Sequence, residues 1–213
     1  MRITSINKYK GTTYEVELDE SRKIYLHADI IVDFGLRSDT ELDRAELRKI
    51  IYASNFRRAF QYALHLLDYR DYSYKEMFRK LEKTYKNEDL CFAVMAKLVK
   101  IGVINDVRYA EKLARKYVEA KRFGLRRAKQ ELLAKGIDSN TAEDALSAYE
   151  ELAEENLAFL LERKYGRLLA DGTDRKSIEK VKGALVRYGY GFAEINSAVR
   201  EYLENAEDSQ EDV

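Results

Sequence analysis

Apolar and polar positions alternate along the first 36 residues. ITSINKYKG, TTYEVELDE and KIYLHADI are rich in β-branched and aromatic residues and are separated by Lys-Gly and Glu-Ser-Arg turns. A period of two bounded by turn residues predicts short strands. The expected element is a β-hairpin or meander of two or three strands, too small to bury much alone and so packed on a neighbouring helix. From residue 38 the period becomes helical. Ser38 with Glu41 has the spacing of a capping box, followed by Leu42, Ala45 and Leu47. Phe60, Ala63, Leu64 and Leu67 form the apolar face of a helix over 56–70. Ser73 with Glu76 opens another helix around Met77 and Leu81. Asn87 caps one carrying Leu90, Cys91, Val94, Met95 and Leu98, and Asn105 caps one whose inner face is Tyr109, Ala110, Leu113 and Tyr117.

Laid against one another, these segments repeat. YSYKEMFRKLEKTY (72–85), FGLRRAKQELLAKG (123–136) and DRKSIEKVKGALVRYG (174–189) share a plan. Met77, Ala128 and Val181 fall in one apolar column, and Leu81, Leu132 and Leu185 in the next. Cys91, Ala142 and Ile195 align further on, then Met95, Leu146 and Val199. Gly136 and Gly189 stand where a left-handed residue ends a helix, whereas Tyr85 holds that place in the first copy and predicts a different ending. The expected fold is mainly α, three tandem three-helix repeats behind a strand-rich cap. The boundaries read as a cap plus helix over 1–55, repeats over 56–104, 105–152 and 153–205, and an acidic disordered tail over 206–213. KIGVINDVRYA (100–110) is then the seam between two repeats. Gly102 ends one helix, Asn105 caps the next, and Val103 and Ile104 are expected in the core.

Charge changes the picture more than composition does. Lys plus Arg is 38 and Asp plus Glu is 38, so the net charge is zero, which argues against a chain coated in base for DNA packaging. The charge is nevertheless segregated. Arg115, Lys116, Lys121, Arg122, Arg126, Arg127, Lys129 and Lys135 lie in one stretch against only Glu119 and Glu131. Residues 138–155 carry seven acids and no Lys or Arg, and residues 201–213 carry six acids and again none. The single cysteine, Cys91, excludes an internal disulfide and sits in an apolar helix as core. No segment reads as a signal peptide or membrane span, so a soluble cytoplasmic protein is expected.

ALHLLDYRDYS, LVKIGVINDVRYA, RFGLRRAKQELLAKGI and AEDAL, in this order, resemble the RecX family of recombination regulators. The resemblance is strong over about residues 56–150. It is looser over the third repeat and over the N-terminal LDESRKIYLHADIIVDFGL, which matches the family's longer members. It implies a curved array of three-helix repeats that binds RecA filaments on DNA and mainly inhibits them, in recombination, repair and the SOS response. The partners implied are the RecA filament and, through it, single- and double-stranded DNA, with the chain itself a monomer.

Against that background the basic residues become candidates. On the helix after Asn105, Arg108, Lys112, Arg115, Lys116 and Arg122 lie mostly opposite Tyr109, Leu113 and Tyr117. On the next helix, Leu125, Ala128, Leu132 and Leu133 are expected inward, leaving Arg126, Arg127 and Lys129 outward. Gly124 is expected to let the backbone turn sharply between the two. These residues are candidates to contact the filament through DNA phosphate, RecA acidic side chains or both, because Arg suits bidentate contacts to either. The first repeat adds Arg70, Lys75, Arg79 and Lys80 beside Tyr72 and Tyr74, which either stack on bases or pack. The third offers Arg175, Lys176, Lys180 and Lys182. A second reading is a stand-alone DNA-binding protein whose short helices act as recognition helices.

No catalytic constellation stands out. His27 and His65 have no Cys or His at ligand spacing, so no metal or cofactor is expected. KYKGTTYE lacks the phosphate-loop pattern, its glycine fitting a hairpin. The chain reads as a regulator, not an enzyme.

Overall fold

The computed structural model describes residues 1–170 and 174–211. Contacts gather them into two compact bodies: Met1–Asp71 with Met77–Val103, and Tyr72–Glu76 with the chain from Ile104 onward.

In the first body, β1 (Ile3–Lys10), β2 (Thr13–Leu18) and β3 (Arg22–His27) form an antiparallel meander in that order. Gly11 makes the first turn at φ +56°. Val16 sits between Ile6 and Ile24, and Tyr14 is opposite Leu26, so alternate residues point to one face. Ile3, Val16, Leu18 and Leu26 are buried there against Ile30 of α1 (Ala28–Asp33) and Leu47 and Ile50 of α2 (Arg44–Tyr69). The cap therefore packs on a helix, as its size requires.

Two local expectations fail here. The strand-like KIYLHADI divides, because the His27 side chain accepts the Asp29 N–H and caps α1. Nor does a helix start at Ser38. Asp39 N–H donates to Ile3 O at 2.8 Å and Ile3 N–H to Thr40 O at 3.0 Å, so these residues cover the edge of β1 instead. The helix waits for Asp43, whose side chain accepts from Glu46 N while Glu46 returns the bond to Asp43 N, at 2.7 and 2.8 Å. From there α2 runs through residue 55 unbroken, since no Gly or Pro interrupts it.

Ala59 and Ala63 of α2, Met77 and Leu81 of α3 (Tyr74–Tyr85), and Leu90, Cys91, Val94, Met95 and Leu98 of α4 (Glu88–Lys100) are buried in the same body. Burial pushes the Cys91 thiol up, consistent with a core residue. Asn87 accepts from Leu90 N at 2.9 Å, the expected cap. α3 ends through Lys86 at φ +50°, one residue beyond the Tyr85 that holds the glycine's place.

The second body contains α5 (Asp106–Arg115), continued by a π-helical stretch Lys116–Ala120, then α6 (Leu125–Ala134) and α7 (Ser139–Ser147). It goes on with α8 (Glu150–Phe159), a second π-helical stretch Leu160–Tyr165, α9 (Gly166–Leu169), α10 (Arg175–Tyr188) and α11 (Phe192–Glu211). Asn105 caps α5 through Arg108 N at 2.9 Å, and Gly102 takes φ +74°, as the seam predicts. Ile104 is buried and Val103 half-buried. Gly136 and Gly189 are left-handed at φ +86° and +97°. Every residue of the four aligned columns is buried. α11 continues to Glu211, where a disordered tail was expected, because no Gly or Pro follows Gly191 to stop it. Residues 212–213 of that tail lie outside the described residues.

Candidate polyanion-binding surface

α5 buries Ala110, Leu113 and Ala114 against the second-repeat core, with Tyr109 half-buried beside them. Arg108, Lys112 and Arg115 recur at helical spacing on another side. They line a groove of about 460 Å³ together with Glu111, Asp144, Ala145, Ala148 and Tyr149. Small residues at the end of α7 leave that space open. Arg115 lies 3.7 Å from Glu119, with both side chains largely in water, so the pair adds little stability. Lys116 is exposed where the π-helical stretch begins.

That stretch redirects backbone groups at the joint of the second and third repeats. Val118 O accepts from Arg122 N at 3.1 Å and from the buried Asn156 side chain of α8 at 3.0 Å. The chain then turns at Arg122, which is itself left-handed at φ +52°. Gly124, expected to supply that turn, has an ordinary φ of −66°. Its role is close approach. A Cβ there would lie 2.5 Å from Gly189 O, and the Gly124 N–H donates to Tyr188 O at 2.9 Å. Tyr190 donates its hydroxyl to Arg122 O at 3.0 Å, and burial pushes its phenol far up. The Arg122 guanidinium rests 4.1 Å from the Phe159 ring.

The α6 candidates divide. Arg126 is exposed, its guanidinium beside Gly191. Arg127 is not a simple outward residue: it donates to Arg187 O at 2.7 Å and lies 3.9 Å from the Phe123 ring. Lys129 is paired with Glu143 of α7, and that bond lowers the Glu143 carboxyl. Leu133, expected inward, is 42% exposed, since Ala128 and Leu132 alone fill the buried stripe.

Among the first-repeat candidates, Arg70 ends α2 and donates to Asp71 O at 2.9 Å, and Arg79 is exposed on α3. Lys75 belongs to the second body, where its Cβ would sit 2.8 Å from any Cβ on Gly136. Around it, Ser73 and Glu76 bond reciprocally as the expected capping box. Tyr74 N–H donates to Asp106 at 2.8 Å, and Lys135 lies 3.7 Å from Glu76. Tyr72 is buried and Tyr74 half-buried, which favours packing over base stacking. In the third repeat, Arg175, Lys176 and Lys180 are exposed and Lys182 lies 3.9 Å from Glu179.

Lys164 was not a candidate in the sequence, and Lys121 figured only as one of the basic residues between Arg115 and Lys135. Lys121 stands over Tyr117 and Phe123, and Lys164 over Tyr165 and Tyr188. The one available signal was a lysine beside aromatic residues in both segments.

Two family profiles match the chain: the first three-helix domain of RecX over residues 59–98, and the second over residues 105–146. Regulatory protein RecX of Lactococcus lactis is 32% identical, over 98% of this chain and 79% of that protein. Regulatory protein RecX of Bacillus velezensis is 30% identical, over 93% and 76%. The crystal structure of RecX from Lactobacillus salivarius superposes with a TM-score of 0.65 at 31% identity, covering 71% of this chain and 98% of that one. Another crystal structure, of a regulatory protein RecX, matches the fold over 96% of this chain with a TM-score of 0.73 at 23% identity. The chain belongs to the RecX family of regulatory proteins.

Proposed function

We propose that this protein binds RecA filaments on DNA and restrains them, lowering ATP hydrolysis and strand exchange during recombination, repair and the SOS response. Family membership directs the reading to RecA. The observation that carries the contact is the α5 groove, where Arg108, Lys112 and Arg115 stand along one wall with Glu111 and Asp144 nearby. A nucleoprotein offers phosphates and protein side chains together, and a neutral chain with segregated charge suits it better than bare DNA. The helix-turn-helix alternative is weaker, because two of the three basic residues expected outward on α6, Arg127 and Lys129, are engaged within the chain.

The test is charge reversal of all three α5 residues, Arg108→Glu, Lys112→Glu and Arg115→Glu, with RecA ATP hydrolysis on single-stranded DNA as the readout. The concentration needed for half-inhibition is expected to rise about tenfold or more, equivalent to ~1.4 kcal/mol, with the thermal melt unchanged. Undiminished inhibition removes α5 from the contact, and a native chain without effect on RecA removes the function.

A further inference from the structure

Cations in the second body are held in two ways. Lys129, Lys135, Arg115 and Lys182 lie against Glu143, Glu76, Glu119 and Glu179. An opposite charge cancels much of a cation's field at a distance, whereas a ring face attracts the cation and leaves its net charge intact. At the joint of the second and third repeats, rings take the place of carboxylates.

Lys121 Nζ lies 5.1 Å from the Tyr117 ring centre and 5.4 Å from that of Phe123. The Arg127 guanidinium, on α6, lies 3.9 Å from Phe123. Lys164, in the third repeat, lies 4.7 Å from the Tyr188 ring and donates to its hydroxyl at 2.5 Å. Phe123 and Tyr188 meet edge to face with centres 6.2 Å apart. Three cations from three elements thus gather on one aromatic pair. Glu131, 3.8 Å from Arg127, offsets part of that cation's charge, whereas among the described residues no carboxylate pairs with Lys121 or Lys164. The Tyr188 hydroxyl also holds the Lys164 ammonium above its usual range, so it stays charged.

Like charges held together repel, and a polyanion relieves that repulsion. From this geometry we infer that Lys121 and Lys164, the two cations here that no carboxylate pairs among the described residues, bind backbone phosphates of one nucleic-acid strand. A strand presents one charge per about 3.4 Å of its axis, enough to serve several spaced cations at once. The two lysines act as point charges toward those phosphates, while Arg127, bonded to Arg187 O, helps to hold Phe123 beneath Lys121. The site is incomplete without the third repeat, which supplies Lys164 and Tyr188. It rests on the proposed regulatory reading for the choice of DNA as the polyanion, and it assigns to this joint a phosphate contact separate from the α5 groove.

The experiment uses the full chain, a labelled oligothymidylate and no RecA, with affinity followed by fluorescence anisotropy over a series of salt concentrations. The double variant Lys121→Ala, Lys164→Ala is expected to bind about tenfold more weakly at low salt. Its slope of log affinity against log salt should fall by about 1.4, from two phosphate contacts on a single strand at about 0.7 each. Lys121→Arg with Lys164→Arg should restore the slope, and Arg163→Ala, an exposed neighbour outside the cluster, should leave it unchanged. An unaltered slope in the alanine variant overturns the assignment. So does an unaltered slope with weakened RecA inhibition, which would give the cluster to an acidic protein surface. A lowered slope in a protein that has no effect on RecA would keep the phosphate site and remove only the regulatory reading.

Discussion

Single residues at the joint of the second and third repeats are fixed by backbone approach more than by side-chain chemistry. Gly189 combines a left-handed φ of +97° with a position where a Cβ would meet the Arg127 Cβ at 2.3 Å. Gly11 is also left-handed, but a Cβ there would meet nothing within 4 Å. Gly189→Ala should therefore cost about 3 kcal/mol or more, combining strain and overlap, against about 1 kcal/mol for Gly11→Ala. Chemical unfolding of both variants checks this, and equal losses would contradict the close packing of Gly189 on α6. The helix-ending role of Gly189 was legible, because a glycine after a periodic apolar run has a local meaning. The role of Gly124 was not, since it depends on a backbone far away in sequence. Arg122 carried no mark of its left-handed turn either.

Among the elements, helix starts were legible where the cap competes only with local alternatives, as at Ser73, Asn87 and Asn105. Ser38 failed because an edge strand claimed the following backbone. The outward face of α5 followed from period, and that of α6 only in part, since Leu133 is exposed; period also cannot see which neighbour meets an outward residue. That is why Glu143 against Lys129 and Arg187 against Arg127 came only with the fold. The π-helical stretch after α5 was equally invisible. Its carbonyl at Val118 is met by Asn156, a buried amide that joins α8 to the second repeat. Asn156→Ala should lower stability by about 1–3 kcal/mol by removing that donor and its packing. Asn156→Asp, which presents no amide donor and buries a charge when ionised, should cost more at neutral pH than at acid pH. Thermal melts at both pH values test the role; a neutral effect of both substitutions would show that the bond contributes nothing.

For the molecule as a whole, the repeat was the most legible feature. Met77, Ala128 and Val181, with Leu81, Leu132 and Leu185, are all fully buried. Buried residues must recur at fixed places when one three-helix unit is used again, so this information lies in the sequence itself. The candidate polyanion-binding surface was legible as an excess of base between Arg115 and Lys135 and as the stripe of Arg108, Lys112 and Arg115 on one helix. Sorting that base into carboxylate-paired and ring-held cations required the packing of four separate elements. Whether this chain acts on RecA filaments is decided by its affinity for RecA-coated and bare single-stranded DNA at one physiological salt concentration. Binding to the coated strand is expected to be tighter by about tenfold or more. Equal affinity for the two, or preference for the bare strand, would contradict it.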